Sequence, residues 1–225
     1  MPYVTVDEDA EAEGYYHLAM AYLNGDMPDV PFDPVEAERL LKQAITYYHV
    51  EATLTLARLY QHGANVLQDL KESARLYEIA ANRGNSDAQF ELGNLYSMGL
   101  GLNADQTKCM YWWNRSALKG NEIAQKALLM YLVNMADYDT LANLGRLYYE
   151  KGYQSLAIST WETGAEYGNL ECQYSLGLTL HSDTLRRSEG MEWLEKAAAG
   201  GSEDAKNAIT QIYEIETVAD SVDSL

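Results

Sequence analysis

The chain contains little cysteine and little proline, with two Cys and four Pro among 225 residues. Two cysteines cannot supply the several bridges that hold a small secreted scaffold together. No run of 18 apolar residues occurs, which predicts that no segment spans a membrane. Because residues 1–13 lack the basic and apolar regions of a secretory signal, we expect a cytoplasmic protein.

Basic residues are also scarce: 16 Lys and Arg stand against 34 Asp and Glu, for a formal net charge of −18. Binding to nucleic acid or to an anionic membrane surface requires a basic face, so both are excluded as expected partners. The acids concentrate at the ends, before Arg39 and after Lys206, the first and last basic residues. Acidic ends keep a protein soluble. Alternatively, the stretch from Asp7 to Glu13 attracts a basic partner protein.

Apolar residues make up 47% of the chain, and they recur in one pattern: small-x-x-x-Leu-small-x-x-aromatic. In one copy the pattern is Ala88, Leu92, Gly93 and Tyr96. Offsets of four, five and eight residues place these side chains on one stripe of a helix. The copies begin at Gly14, Ala52, Ala88, Thr140, Cys172 and, more weakly, Ala205.

A second helical stripe follows each first one and ends before a glycine. A small pair such as Ala80 and Ala81 precedes the glycine, which suits the end of a helix. The glycines concerned are Gly84, Gly120, Gly168 and Gly201. The repeated unit is therefore a helix, a loop, a second helix and a glycine, which predicts an all-α protein.

These repeats resemble the SEL-one-like repeat family, an α/α solenoid relative of the tetratricopeptide repeat. The copy at 88–120 carries the resemblance through Gly93, Tyr96, Gly99, Gly101, Asp105, Lys108, Trp112 and Gly120, with Cys109 and Ser116 in place of alanine. A second match consists of Trp193, Lys196, Ala197, Ala198 and Gly201. The resemblance implies a right-handed α/α solenoid of about five to six helix-turn-helix repeats with a C-terminal capping helix.

We expect one solenoid domain at 13–214, between an acidic, flexible N-terminal segment at 1–12 and a C-terminal tail at 215–225. The repeat is irregular at 121–139: the stripe at Ala124 is on schedule, yet another begins at Thr140, only 16 residues later. Either the helix at 140 replaces a missing second helix, or a helix is inserted there. A hinge and a rigid irregular junction are both open, and we favour the rigid junction.

No arrangement of residues indicates catalysis, a metal or a cofactor. No dinucleotide, phosphate-loop or serine-hydrolase motif occurs. Cys109 and Cys172 occupy alanine positions of the repeat, so we interpret them as core residues rather than nucleophiles. The histidines lack the paired spacing of a helical metal site: His17, His49, His62 and His181.

Solenoids of this type bind partners on the concave face, which the first helix of each repeat lines. Offsets of −2, +2, +5 and +6 from each stripe leucine, taken from the related tetratricopeptide fold, predict a groove rich in Tyr, Met, Phe and Arg, as interfaces are. We expect Leu23, Leu54 and Val133 to be core instead. The predicted groove residues are Tyr16, Met20, Arg58, His62, Phe90, Asn94, Met98, Lys126, Met130, Arg146, Tyr149, Tyr174 and His181.

Three functions remain open. The family resemblance implies a non-catalytic adaptor that holds a protein or peptide in the groove. The small size and acidity favour, as the alternative, an immunity-type inhibitor that masks a basic toxin or enzyme. An enzyme has the least support, because no Ser-x-x-Lys nucleophile motif occurs.

Overall fold

The structure is a computed structural model that describes residues 6–25 and 29–223, without the side chains of residues 6, 7, 216 and 218–223. This part of the chain is all-α, with helices and no strand. No helix in it is long and apolar enough to cross a bilayer. The helices are α1 (Val6–Asn24), α2 (Pro34–Thr46), α3 (Val50–His62), α4 (Leu70–Asn82), α5 (Ser86–Met98), α6 (Gln106–Ala117), α7 (Glu122–Asn134), α8 (Tyr138–Glu150), α9 (Gln154–Glu166), α10 (Leu170–His181), α11 (Arg187–Ala199) and α12 (Glu203–Asp223).

Two compact units make up the chain, Met1–Leu128 and Leu129–Leu225. In the first unit the hairpins α1–α2, α3–α4 and α5–α6 stack so that each second helix packs on the next first helix. In the second unit the hairpins α8–α9 and α10–α11 stack in the same way, and α12 packs on α11. This arrangement of helical hairpins is the predicted α/α solenoid fold.

In the first unit, capping side chains recur with a period of 36 residues. Asp33, Asp69 and Asp105 cap α2, α4 and α6 by accepting backbone N–H bonds of the first turn. His49 and Asn85 cap α3 and α5 in the same manner. A capping side chain satisfies N–H groups that have no partner within the helix, so these residues define where each element begins.

The small residue of the stripe lets the two helices of a hairpin approach closely. A Cβ atom at Gly93 would overlap the ring of Trp113 on α6, and one at Gly145 would overlap Trp161 on α9. The indole of Trp113 donates from Nε1 to Oδ1 of Asn94, 3.0 Å away. In these two hairpins, α5–α6 and α8–α9, an indole of the second helix therefore packs against a glycine of the first.

The last helix closes the core of the second unit. Ala205 is fully buried with Leu194 and Ala197 of α11, and Ile209 and Ile212 pack partly against them. Without this cover, the apolar face of α11 would meet water. This is the capping helix that the repeat pattern predicted.

Both terminal helices are longer than expected. Residues 6–12, predicted as a flexible segment, form the start of α1, because Ala12 is buried seven residues before Ala19 and continues the apolar stripe. Residues 215–223, predicted as a tail, continue α12. Residues 1–5 lie outside the described residues.

The irregular junction at 121–139 contains helix α7, which Asn121 caps by accepting from the N–H of Ala124 at 3.0 Å. The next helix, α8, packs on α9 and forms the first helix of its own hairpin. This corresponds to the alternative of an inserted helix. Whether the junction is a hinge stays a prediction.

Two stripe leucines are less buried than predicted. Leu18 is 40% exposed, because no earlier hairpin covers α1 in the described residues. In α8, Leu144 is only half-buried, and Leu141, three residues earlier, is fully buried instead. Leu54 and Val133 are core residues, as expected, and Leu23 is half-buried.

Candidate functional site

None of the thirteen predicted groove residues is buried. Seven are exposed: Arg58, His62, Met98, Lys126, Met130, Arg146 and Tyr149. Six are half-buried: Tyr16, Met20, Phe90, Asn94, Tyr174 and His181. Lys126 and the residues before it belong to the first unit, and Met130 and those after it belong to the second. That the thirteen residues line one groove therefore stays a prediction.

In the first unit, two of the predicted groove residues contact other side chains of the same unit. Asn94 accepts the indole N–H of Trp113 and donates to Glu91. The ring of Tyr16 stacks on His49, with the centroids 4.8 Å apart. Asn94 and Tyr16 therefore stabilise the packing of the helices, in addition to any role in binding.

In the second unit, three of the predicted groove residues line two adjoining cavities along α10. They are Arg146, Tyr149 and Tyr174. The smaller cavity, of about 240 Å³, lies between α8, α9 and the C-terminal half of α10. The larger, of about 470 Å³, lies between α8, the N-terminal half of α10 and the start of α12. Arg146 and Ser175 line both cavities, so we treat the two as one depression and name it the α10 groove.

Three of the seven residues that line the smaller cavity are aromatic or aliphatic, and the others are Arg146, Ser175, Thr179 and Ser182. Tyr149 is 51% exposed and its ring leans on Trp161, with the centroids 5.7 Å apart. Trp161 is itself held by a hydrogen bond from Nε1 to the carbonyl of Ala142, at 3.3 Å. Leu178 completes the wall. This end of the groove offers a rigid apolar surface.

Carboxylates line the larger cavity. Glu171, Glu203 and Asp204 stand in the first turns of α10 and α12, where the positive ends of the helix dipoles favour negative charge. Glu203 pairs with Lys206 at 2.6 Å, and Glu171 lies 3.6 Å from a guanidinium nitrogen of Arg146. Within the described part of the chain, Asp204 has no cation within 4 Å.

Two hydroxyl groups of the groove donate to backbone carbonyls of α10 itself. Thr179 donates to the carbonyl of Ser175 at 2.8 Å, and Ser182 donates to that of Leu178 at 3.0 Å. The arrangement therefore supplies surface and charge for binding a ligand, without an activated nucleophile among these hydroxyls.

Neither the cysteines nor the histidines line the α10 groove, and this includes His181, which was predicted as a groove residue. Burial raises the pKa of the Cys109 thiol to about 11 and that of Cys172 to about 12, so both stay protonated. Among the described residues, no three His, Cys, Asp or Glu side chains are grouped to hold a metal ion. These thiols pack as core residues.

Sequence reasoning missed Trp161, Glu203 and Asp204 as parts of the site, whereas the groove offset of +2 from Leu176 does point to Leu178. The groove offsets were applied only to the first helix of each repeat, and Trp161 lies on the second. The acids of α12 were assigned to a capping helix. An alignment of copies by their capping residues would have placed Asp204 beside the equivalent Asp87, each just before a buried alanine.

The acids near the N-terminus are partly engaged within the first unit. The two carboxylate oxygens of Glu13 lie 2.9 Å from Nε2 of His49 and of His17, which lowers the pKa of Glu13. A hydrogen bond to Glu11 raises the pKa of Tyr47. These contacts give Glu11 and Glu13 a structural role beside the predicted attraction of a basic partner.

Solved structures share this fold. The chain is 26% identical to a protective antigen of uropathogenic Escherichia coli strains that displays an SLR fold, with a TM-score of 0.52 over 91% of this chain and 50% of that one. It is 24% identical to a Sel1 repeat protein from Oxalobacter formigenes, with a TM-score of 0.50 over 93% of this chain and 81% of that one.

Curated relatives match about half of the chain. A chitin synthase regulatory factor of Schizosaccharomyces pombe is 34% identical over 131 residues, which cover 54% of this chain and 25% of that protein. An exopolysaccharide production negative regulator of Rhizobium leguminosarum is 30% identical over 118 residues, or 46% of this chain and 43% of that protein. The chain thus spans less than half the length of these two relatives.

The family model of the Sel1 repeat matches four segments: residues 12–46, 50–85, 86–121 and 170–202. They cover more than half of the chain, and the unmatched stretch between the last two contains the irregular junction. Sel1 repeat proteins are typically modules of protein–protein interaction and generally non-catalytic scaffolds. With hairpins, stripes and capping residues repeated through the matched segments, this chain belongs to the Sel1 repeat family.

Proposed function

We propose that the protein is a non-catalytic interaction module that holds a segment of a partner protein in the α10 groove. The observation that carries the proposal is the half-exposed ring of Tyr149 on the buried indole of Trp161, beside an open cavity. Tyrosine, tryptophan and arginine are the side chains that contribute most to binding at protein interfaces. An aromatic ring fixed in this way loses little conformational freedom on binding.

The exposed row of the first unit supports the same function. Arg58, His62 and Met98, three of the predicted groove residues, are exposed on α3 and α5. Methionine adapts its shape to different partners, and arginine offers several donors. We propose these exposed residues as a contact surface of the first unit.

A test of the proposal compares Tyr149→Ala with wild type. The partner would be captured from the host lysate with the wild-type chain, identified by mass spectrometry and then purified for affinity measurements. Because truncation of a central aromatic residue costs about 2 kcal/mol or more, we expect affinity to fall at least about thirtyfold. Thermal unfolding of both proteins shows whether the variant stays folded.

Tyr153→Ala is the matched control. Tyr153 is similarly exposed, lies four residues further along the chain and does not line the groove. Its variant should bind like wild type. Equal affinity of wild type and the Tyr149 variant would remove the α10 groove as the binding site.

A further inference from the structure

We propose that the α10 groove holds one extended segment that carries a lysine or arginine side chain and, two or three residues away, an apolar side chain. This inference rests on the proposed function and specifies the chemistry of the partner. The larger, acidic cavity receives the cation, and the smaller, aromatic cavity receives the apolar group.

The dimensions of the groove fit a short extended segment. Its lining runs along α10 from Leu170 to Ser182, a distance of about 18 Å at 1.5 Å per residue. An extended chain covers that distance in about five residues. The middles of the two cavities lie about six helical residues apart, or about 9 Å, which separates the two anchoring side chains by two or three positions.

The charges of the larger cavity favour a cation. Glu203 and Glu171 already have cationic neighbours, whereas Asp204 has none within 4 Å in the described chain. A lysine or arginine from a partner would neutralise Asp204 and lie close to the other two carboxylates. The whole chain carries a net charge of −18, so a basic segment also approaches it faster than an acidic one.

Arg146 lines both cavities, but the smaller cavity has no carboxylate in its lining to balance this positive charge, so a cation is disfavoured there. The Arg146 guanidinium is held by Asn143 at 2.5 Å and by Glu171 at 3.6 Å, at the point where the two cavities join. On its other side stand Tyr149, Trp161 and Leu178. An apolar side chain gains from covering these surfaces, and it has no charge for Arg146 to repel.

The test uses capped peptides of serine in which one lysine and one leucine are separated by two serines, in both orders. Comparison peptides replace the lysine by glutamate or the leucine by serine. Each is titrated into the ¹⁵N-labelled full chain while amide chemical shifts are recorded. We expect the lysine–leucine peptide to shift amides of residues 146–149 and 171–182, and each comparison peptide to bind at least about fivefold more weakly.

A pair of matched variants separates the site from the general charge. Asp204→Asn should weaken the lysine–leucine peptide about threefold, since one partly exposed ion pair is lost. Asp87→Asn removes the same charge from the equivalent position of α5 in the other unit, and it should leave the affinity unchanged. Both acids precede a fully buried alanine in the first turn of a helix.

Four results would overturn the inference. These are equal binding of the glutamate peptide, equal weakening by Asp87→Asn, no shift in the groove with any peptide, and shifts at these amides that grow with protein concentration alone. The last would mean that a second copy of the chain occupies the groove. The first three results leave the proposed function open to its own test. That test is whether the Tyr149→Ala variant loses affinity for the natural partner.

Discussion

At the scale of single residues, the close approach of α8 and α9 depends on Gly145. A methyl group there would overlap Nε1 and Cδ1 of Trp161. That indole also forms the floor under Tyr149 in the α10 groove. One position therefore connects the packing of a hairpin to the shape of the candidate site.

We expect Gly145→Ala to lower the free energy of unfolding by about 1–3 kcal/mol, because the indole must move to admit the methyl group. Urea unfolding followed by circular dichroism measures the change. Gly14→Ala is the control: a Cβ atom at Gly14 meets nothing within 4 Å, so alanine should stabilise α1 by about 0.5–1 kcal/mol. A Gly145 variant as stable as wild type would show that the indole has room to shift.

Many of these interface and core positions can be predicted from the sequence. The stripe pattern identified Gly93 and Gly145 as small interface positions, and the two cysteines as core residues. It did not identify which aromatic ring fills each gap, because Trp113 and Trp161 lie 16 to 20 residues away on another helix. Nor did it show that Trp113 engages Asn94, which removes part of that side chain from the predicted groove.

At the scale of helices, the repeat is marked by its capping residues. Asp33, Asp69 and Asp105 occupy the same place in successive repeats, and each accepts hydrogen bonds from backbone N–H groups of the turn that follows. The period of 36 residues is therefore visible in polar residues as well as in the apolar stripe. Aligning copies by both patterns would set their register independently.

We expect Asp69→Ala to lower the free energy of unfolding by about 1 kcal/mol, since the N–H groups of Lys71 and Glu72 lose their acceptor. Asp69→Asn keeps an acceptor oxygen and should stay within a few tenths of a kcal/mol of wild type. Chemical denaturation of the three proteins checks the order. A loss as large with asparagine as with alanine would assign the effect to the charge instead.

The contact between Glu13 of α1 and His49, the capping residue of α3, predicts that the stability of the protein depends on pH. We call this contact the bridge. His49 accepts the N–H of Ala52 at Nδ1, which leaves Nε2 to donate to Glu13. This bond lowers the pKa of Glu13 below its ordinary value of 4.5, so its contribution to stability is complete above that pH and is lost as pH falls through the folded value.

We therefore expect Glu13→Gln to lower the melting temperature near neutral pH. The difference in melting temperature from wild type should become smaller as the pH is lowered from about 5 to about 3. Thermal scans across this range measure the difference. Glu51→Gln, at an exposed position outside the bridge, controls for the loss of one negative charge. A constant difference at every pH would contradict this account of the bridge.

At the scale of the whole chain, the excess of acidic residues dominates the electrostatics. The net charge of −18 opposes compaction through mutual repulsion. The ion pairs of the described residues are largely between exposed side chains, such as Arg39 with Glu36 and Arg75 with Glu72, and pairs of this kind contribute little. Repulsion should therefore outweigh attraction among the surface charges.

We expect added salt to stabilise the protein. Raising sodium chloride from about 0.01 M to about 0.3 M shortens the screening length several-fold and weakens the repulsion. A gain of about 1 kcal/mol would raise the melting temperature by about 2–4 °C for a chain of this size. A fall in melting temperature with salt would mean that the surface ion pairs contribute more than the net charge costs.

By itself, the sequence determined what depends on local periodicity. Stripes of small and apolar residues identified the helices, glycines marked their ends, and the spacing of these signals indicated the Sel1 repeat and its solenoid fold. The expectation that residues 13–214 form one domain stays a prediction. So does the inclusion of the exposed residues of the first unit in a shared groove.

Only the tertiary structure decided which side chains meet. A helical period identifies a face, but the exposure of that face depends on the helices that cover it, so Leu141 rather than Leu144 is fully buried in α8. The α10 groove joins Tyr149, Trp161 and Asp204 from three helices. No local pattern links positions so far apart in the chain, because their proximity results from how successive hairpins stack.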